Sequence, residues 1–384
     1  MKSDTRIVSS SPHERAAALV RAAIAEEGRL SAGLRECVEK EKKFFVSPED
    51  GAVVAYRLLE GRRRLPGNPS SLPSFLLVLL NGFACSMETW NEEWLQLLSE
   101  GGHSIVLVDH RGVGDTRFAL EEKRGGMEGV REVGFAVRRL RHDSLESEVT
   151  LPKMAADISS LLAYLVAEGN ELGLQNPGVS SKDGVNVGCA DIQFVLVGFS
   201  FGALIGQSVI EYLKGPDMGG LLSRLKALVI LDQSVAPMHE DLGWAERDKF
   251  ASEIARMEGT CDLSGFFKNF EPNLWGVYDP SRELRESWDG ATARLVKEHL
   301  VGQMRSTLSF DGRGFLETYT FPVLVCLAQQ GLLAHCLQKA CEFYRSCGSK
   351  KGRREVLTFE GPHLIFHFCV KDLARAVLKF LGDV

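Results

Sequence analysis

Six short apolar runs recur along the chain: "FLLVLL" (75–80), "SIVLVD" (104–109), "FVLV" (194–197), "LKALVILDQS" (225–234), "FPVLVCLA" (321–328) and "EVLTFEG" (355–361). Most are apolar on consecutive positions, so strands built from them are covered on both faces; "EVLTFEG" is the more polar exception. Helix-compatible stretches such as "PKMAADISSLLAYLVAEG" separate several of them. That rhythm predicts an α/β fold with a mostly parallel central sheet flanked by helices. The segment "KFFVSPEDGAVVAYRLLEG" adds two strands around a turn at Asp50 and Gly51.

Between Ser234 and Phe321 no such strand run occurs; helical patterns dominate, with Trp244, Trp275 and Trp288 among them. The expected organisation is an N-terminal helical extension (1–42), a core formed by 43–234 and 320–384, and an inserted helical cap (235–319). Three polar stretches read as surface segments. They are the basic loop "GRRRLPGNPSSLPS", the charge-dense insertion 117–150, and the glycine-rich "GNELGLQNPGVSSKDGVNVGCAD".

No apolar run approaches the roughly 20 residues that span a bilayer. The net charge of -6 argues against nucleic acid or an anionic membrane as main partner. The nine cysteines contain no C-x-x-C pair. Cys189, Cys326 and Cys369 lie in apolar runs, where a reduced thiol behaves as a small hydrophobe. Cys336, Cys341 and Cys347 cluster without the histidine spacing of a zinc site. The N-terminus is polar and lacks the apolar core of a secretory signal. These features predict a soluble, reducing, cytoplasmic protein with no metal and no cofactor. A P-loop, a dinucleotide fingerprint and H-E-x-x-H are all missing from the sequence. Oligomeric state is not legible.

The chemistry concentrates in "VLVGFSFGALIG" (195–206). A buried strand turns there into a helix, and Ser200 stands at the turn between Gly198 and Gly202. Small flanking residues let strand and helix approach closely, which exposes the serine hydroxyl at the sheet edge. A serine hydroxyl is a poor nucleophile until a base takes its proton and an acid orients that base. Structurally, the same pentapeptide also serves as an ordinary tight turn, so its neighbours must decide.

Four motifs in order, "LLVLLNGFACSMETW", "VLVDHRGVGDT", "VGFSFG" and "FEGPHLIFHFCVKDLARAVLKFL", resemble those of the α/β-hydrolase family over about 44–381. The resemblance implies a Ser–acid–His order along the chain. His363 and His367 compete for the base; His363 occupies the position similar to the family histidine and follows a Gly-Pro turn. The family acid usually follows the strand "FPVLVCLAQQ", yet Gly331 stands there and 322–340 hold no carboxylate. Some family members carry the acid one strand earlier, which here is Asp232, and with no later carboxylate the expected triad is Ser200, His363 and Asp232. The bland reading of Asp232 is a strand-end turn residue; His335 and Glu360 are more distant candidates. Resemblance also assigns the oxyanion N–H groups to Phe83 and Phe201, with Asn81 and Gly82 shaping the loop where the family usually has His-Gly.

The implied activity is serine-dependent hydrolysis of a carboxylic ester or related small acyl substrate through an acyl-enzyme. Epoxide or haloalkane hydrolysis calls for an aspartate nucleophile, whereas this position is serine. Alternatives are a C–C hydrolase, a thioesterase, a cofactor-free haloperoxidase, or a ligand-binding homologue without turnover. Asp232 separates the last from the rest: pairing with His363 completes a triad.

Overall fold

A computed structural model describes residues 42–61, 74–116, 120–123, 134–137, 149–169, 192–234, 236, 244–259, 263–293, 295–331, 333–347 and 352–384. The expected extension 1–42 (apart from Lys42) and the glycine-rich segment 170–191 lie outside them, as does most of the basic loop. The apolar runs form the strands β1 (Lys43–Val46), β2 (Val53–Leu59), β3 (Leu76–Leu80), β4 (Ser104–Val108), β7 (Phe194–Phe199), β8 (Leu225–Leu231), β9 (Val323–Gln330) and β10 (Arg354–Pro362). They make one eight-stranded sheet in the order β1-β2-β4-β3-β7-β8-β9-β10. The ladders joining β4 through β10 are parallel, and β2 pairs antiparallel with both β1 and β4. The sheet is therefore mostly parallel, as the unbroken apolar runs require. Within 117–150, β5 (Leu120–Lys123) and β6 (Gly134–Val137) pair as a separate two-stranded ribbon.

Helices α1 (Glu92–Glu100), α2 (Leu151–Ala167) and α3 (Phe201–Leu213) follow β3, the ribbon and β7. Between β8 and β9 lie α4 (Trp244–Glu258), α5 (Ser264–Trp275), α6 (Arg282–Thr292), α7 (Lys297–Ser309) and α8 (Arg313–Thr318). Then α9 (Leu337–Ser346), α10 (Ile365–Phe368) and α11 (Val370–Gly382) complete the chain. Residue alternation along β7 shows that the sheet is covered on both faces. Gly198 faces Ala203 of α3, and Phe199, one position on, packs against Trp90 and Phe366 on the other side. Among the described residues no helix is long and apolar enough to cross a membrane.

Chain order runs outward in opposite directions from β3 and β7, so the switch in winding falls between these neighbours. Open α/β sheets bind their ligands at the carboxyl ends of strands beside such a switch. The loop 81–91 leaves β3 there, and Ser200 leaves β7 beside it.

Candidate active site

Ser200 joins β7 to α3 with φ 50° and ψ -123°. Such a backbone costs a non-glycine residue on the order of 1–3 kcal/mol, so its surroundings must impose it. They do so by proximity. A Cβ on Gly198 would lie 2.5 Å from Ala203 Cα, and one on Gly202 would lie 2.0 Å from the Leu80 carbonyl oxygen. No side chain fits at either position. The Ser200 N–H donates to Leu231 O at 2.9 Å, which ties the turn to β8.

Three side chains from three strand ends meet here. His363, directly after β10, has Nε2 3.0 Å from Ser200 Oγ. Its Nδ1 is 2.5 Å from Asp232 Oδ2, at the end of β8. Ser200, His363 and Asp232 are 6%, 2% and 1% exposed, so water competes little for these bonds. The other Asp232 oxygen accepts the Ala328 N–H at 2.7 Å, which fixes the carboxylate against β9. With the carboxylate ionised and the imidazole neutral, this geometry assigns the proton to Nδ1 and turns a lone pair on Nε2 toward the serine hydroxyl. Phe199 backs the imidazole ring at 4.8 Å between centroids.

The missing carboxylate at 331 has a steric explanation. A Cβ on Gly331 would stand 2.3 Å from Asp232 Oδ2. The carboxylate arriving from β8 fills the space that a side chain after β9 would need, so the two positions exclude each other. His335 and Glu360 are exposed.

The loop after β3 runs beside the serine. A Cβ on Gly82 would meet the Phe199 ring at 2.7 Å and Ser200 Cβ at 3.3 Å. Asn81 braces the loop through both ends of its amide: Nδ2 donates to Val108 O at 2.8 Å, and Oδ1 accepts the Trp90 indole N–H at 2.5 Å. Neither the Phe83 N–H nor the Phe201 N–H donates to a protein acceptor among the described residues; the latter is one of the unpaired donors of a helix start. Phe83 also meets Phe266 and Phe270 of α5 edge-on, at 6.0 and 5.7 Å. From α6, Ser287 Oγ donates to Glu88 O at 3.0 Å.

His367 has a different place. Its Nε2 donates to Thr89 O at 2.6 Å, and its Nδ1 lies 3.4 Å from Asn91 Nδ2. Burial pushes its pKa down to about 4. It joins α10 to the loop after β3 and makes no hydrogen bond to Ser200. Burial likewise lowers His110, packed on the Phe201 ring at 5.7 Å, to about 4. Burial, then the neighbouring Glu88, raises Asp109 to about 7, although it accepts the Met87 and Asp115 N–H groups. Arg111 pairs with Asp157 and Asp50 and anchors the turn after β4. Among the described residues no cluster of His, Cys, Asp and Glu could hold a metal.

Two contributors were not singled out by the sequence. Gln303 of α7 accepts the Ala84 N–H at 3.1 Å, and nothing in its helical surroundings marks it out. His110 stands inside "DHRGVGD", but its burial depends on partners far away in sequence.

The doubly wound sheet, with a serine on a strained strand-to-helix turn at its switch point, defines the class of protein. The chain matches the sequence model of the alpha/beta hydrolase family over residues 77–368, and it belongs to that family. A search among curated proteins finds no match. Solved structures share the fold at low identity. An esterase from Exiguobacterium antarcticum aligns with a TM-score of 0.58 at 14% identity, over 88% of this chain and 98% of its own. A bromoperoxidase from Bacillus anthracis gives 0.58 at 18%, over 89% and 100%. The enol-lactonase of Burkholderia xenovorans gives 0.56 at 14%, over 88% and 99%.

Proposed function

We propose that the protein is a serine hydrolase that cleaves a carboxylic ester, or a related small acyl substrate, through an acyl-enzyme. The observation that carries this reading is the unbroken chain of hydrogen bonds from Ser200 Oγ through His363 to Asp232. Ser200 attacks the substrate carbonyl as His363 Nε2 takes its proton. Asp232 holds the imidazole tautomer and stabilises the imidazolium. His363 then protonates the leaving alkoxide, and a water activated by the same nitrogen releases the acid. The N–H groups of Phe83 and Phe201 face the developing oxyanion; removal of one such donor costs about 10²–10³ in rate.

In this reading 43–234 and 320–384 are the core, and 235–319 is a cap. Support for the cap comes from the contacts of Phe266, Phe270, Ser287 and Gln303 with the loop after β3. Residues 1–42 are an appended segment. The six cysteines free among the described residues accord with a cytoplasmic location. A 2.5 Å contact between Asp232 and His363 favours turnover over a ligand-binding role alone. Thioester and C–C bond cleavage use the same groups, so a substrate panel separates them.

Labelling with a fluorophosphonate, read as intact mass, tests the nucleophile. Wild-type protein gains one probe mass, Ser200→Ala gains none, and Asp232→Asn reacts at least tenfold more slowly. An unlabelled, folded wild type overturns the reading; full labelling of Ser200→Ala overturns the assignment of the nucleophile.

A further inference from the structure

Residues 82–85 form a tight turn at the end of β3, closed by the Cys85 N–H donating to Gly82 O at 3.2 Å. Ala84, its third residue, has φ 59°. Type II turns require a positive φ at that position and normally place glycine there. Alanine is strained in this region by about 1 kcal/mol, so something must hold the turn.

Gln303 is in position to do so. The Ala84 N–H donates to Gln303 Oε1 across 219 residues of sequence. Gln303 is fully buried. The other end of its amide reaches a second glycine turn: a Cβ on Gly112, itself at φ 85°, would stand 3.3 Å from Gln303 Nε2. One amide from α7 thus rests against the loops after both β3 and β4. Only the oxygen end is bonded, since Nε2 is buried without a hydrogen-bond partner among the described residues. Burying an amide is costly unless it is bonded, and simple packing would be served by an apolar side chain.

The bond acts on the peptide between Phe83 and Ala84. Type I and type II turns differ by a rotation of that central peptide of roughly half a turn. Such a rotation would carry Ala84 to its preferred negative φ and change ψ of Phe83. While the Ala84 N–H is held by Gln303, the rotation is blocked. The Ala84 donor is also kept out of the site, leaving the preceding N–H of Phe83 for substrate.

We infer that Gln303 is a positioning residue: it locks the Phe83–Ala84 peptide, and so makes the oxyanion turn conditional on the seating of α7. The catalytic part of this inference rests on the hydrolase reading, with Phe83 as oxyanion donor. A helix from the segment between β8 and β9 then controls the rate of the chemical step.

The test compares wild type, Gln303→Met and Gln303→Glu by two readouts. Methionine keeps the volume and removes the acceptor; glutamate keeps a carbonyl-type acceptor in either protonation state. One readout is amide hydrogen exchange of a peptide covering 82–87, which needs no activity. The other is p-nitrophenyl acetate hydrolysis, resolved into kcat and KM. Expected for Gln303→Met are faster exchange in that peptide and a loss of kcat on the order of 10- to 100-fold, the scale for a small misplacement of a reacting group. KM should stay within about twofold, since the ground-state ester gains little from the oxyanion donors. Gln303→Glu should restore both readouts. Unchanged exchange in a folded Gln303→Met overturns the lock. Faster exchange with unchanged kcat overturns the positioning role. A kcat loss that glutamate does not restore assigns the effect to packing and overturns it too. If wild type neither hydrolyses the ester nor takes the fluorophosphonate, the hydrolase reading fails, and exchange alone decides whether Gln303 fixes the turn.

Discussion

A Cβ on Gly331 would stand 2.3 Å from a carboxylate oxygen of Asp232, so this glycine keeps open the space for an acid delivered by another strand. Gly331→Ala should therefore lower kcat/KM on the order of tenfold or more without removing any charged group, because Asp232 must shift from His363. Steady-state kinetics checks it, and full activity would show that the carboxylate tolerates the intrusion. At this scale the sequence was unevenly legible. Ser200 and His363 could be located because local turns, Gly-x-Ser-x-Gly and Gly-Pro-His, mark them. Asp232 was favoured as the acid only by elimination, because 322–340 hold no carboxylate; nothing local distinguishes it from an ordinary strand-end aspartate. Its pairing depends on β8, β9 and β10 ending side by side, which is a relation among residues up to 131 apart.

The junction of β7 and α3 is rigid because three elements crowd one backbone. A methyl on Gly202 would enter the β3 carbonyl at Leu80, and backbone cannot step aside as a flexible side chain can. Gly202→Ala should destabilise the fold by about 3 kcal/mol or more, at the upper end for overpacking. The urea midpoint measures this, and a loss below about 1 kcal/mol would mean that β3 and α3 can separate. Both flanking glycines were legible from the pentapeptide, since any tight strand-to-helix turn calls for them. The role of α7 was not. Its sequence, "KEHLVGQMRSTLS", looks like a generic amphipathic helix. Gln303 acquires meaning only where the helix lies against Ala84 and Gly112.

Across the whole molecule, buried titratable groups set the acid limb of stability. His110 and His367 fall from an ordinary 6.5 to about 4, each chiefly through burial. Between those values the unfolded chain binds more protons than the folded one. Their contribution is intact above pH 6.5 and is lost as pH falls through that window. Asp109, raised from 3.8 to about 7, works oppositely: its contribution is greatest at low pH and is lost as pH rises through 7. Burial raises Asp157 in the same sense as Asp109. Against burial, the Arg111 and Lys42 partners lower Asp50 and Glu88, which so lose their contribution as pH falls. With the carboxyls thus opposed, the two histidines leave a net decline. The urea midpoint should drop between pH 6.5 and pH 4, and His367→Asn should flatten that slope. A slope unchanged in the variant would remove His367 from the account.

Consecutive apolar residues in the central strands were enough to determine a parallel sheet buried there on both faces, although the edge strand β10 is only half-buried along most of its length, and the glycines around Ser200 were enough to determine a sharp turn. Both are decided by a residue and its near neighbours, through burial and steric fit. Which acid reaches His363, and which side chain holds the turn at Ala84, only the tertiary structure decided. Hydrogen bonds act over about 3 Å, and the strand ends and helix that supply these partners are brought within that range by packing rather than by proximity in the chain.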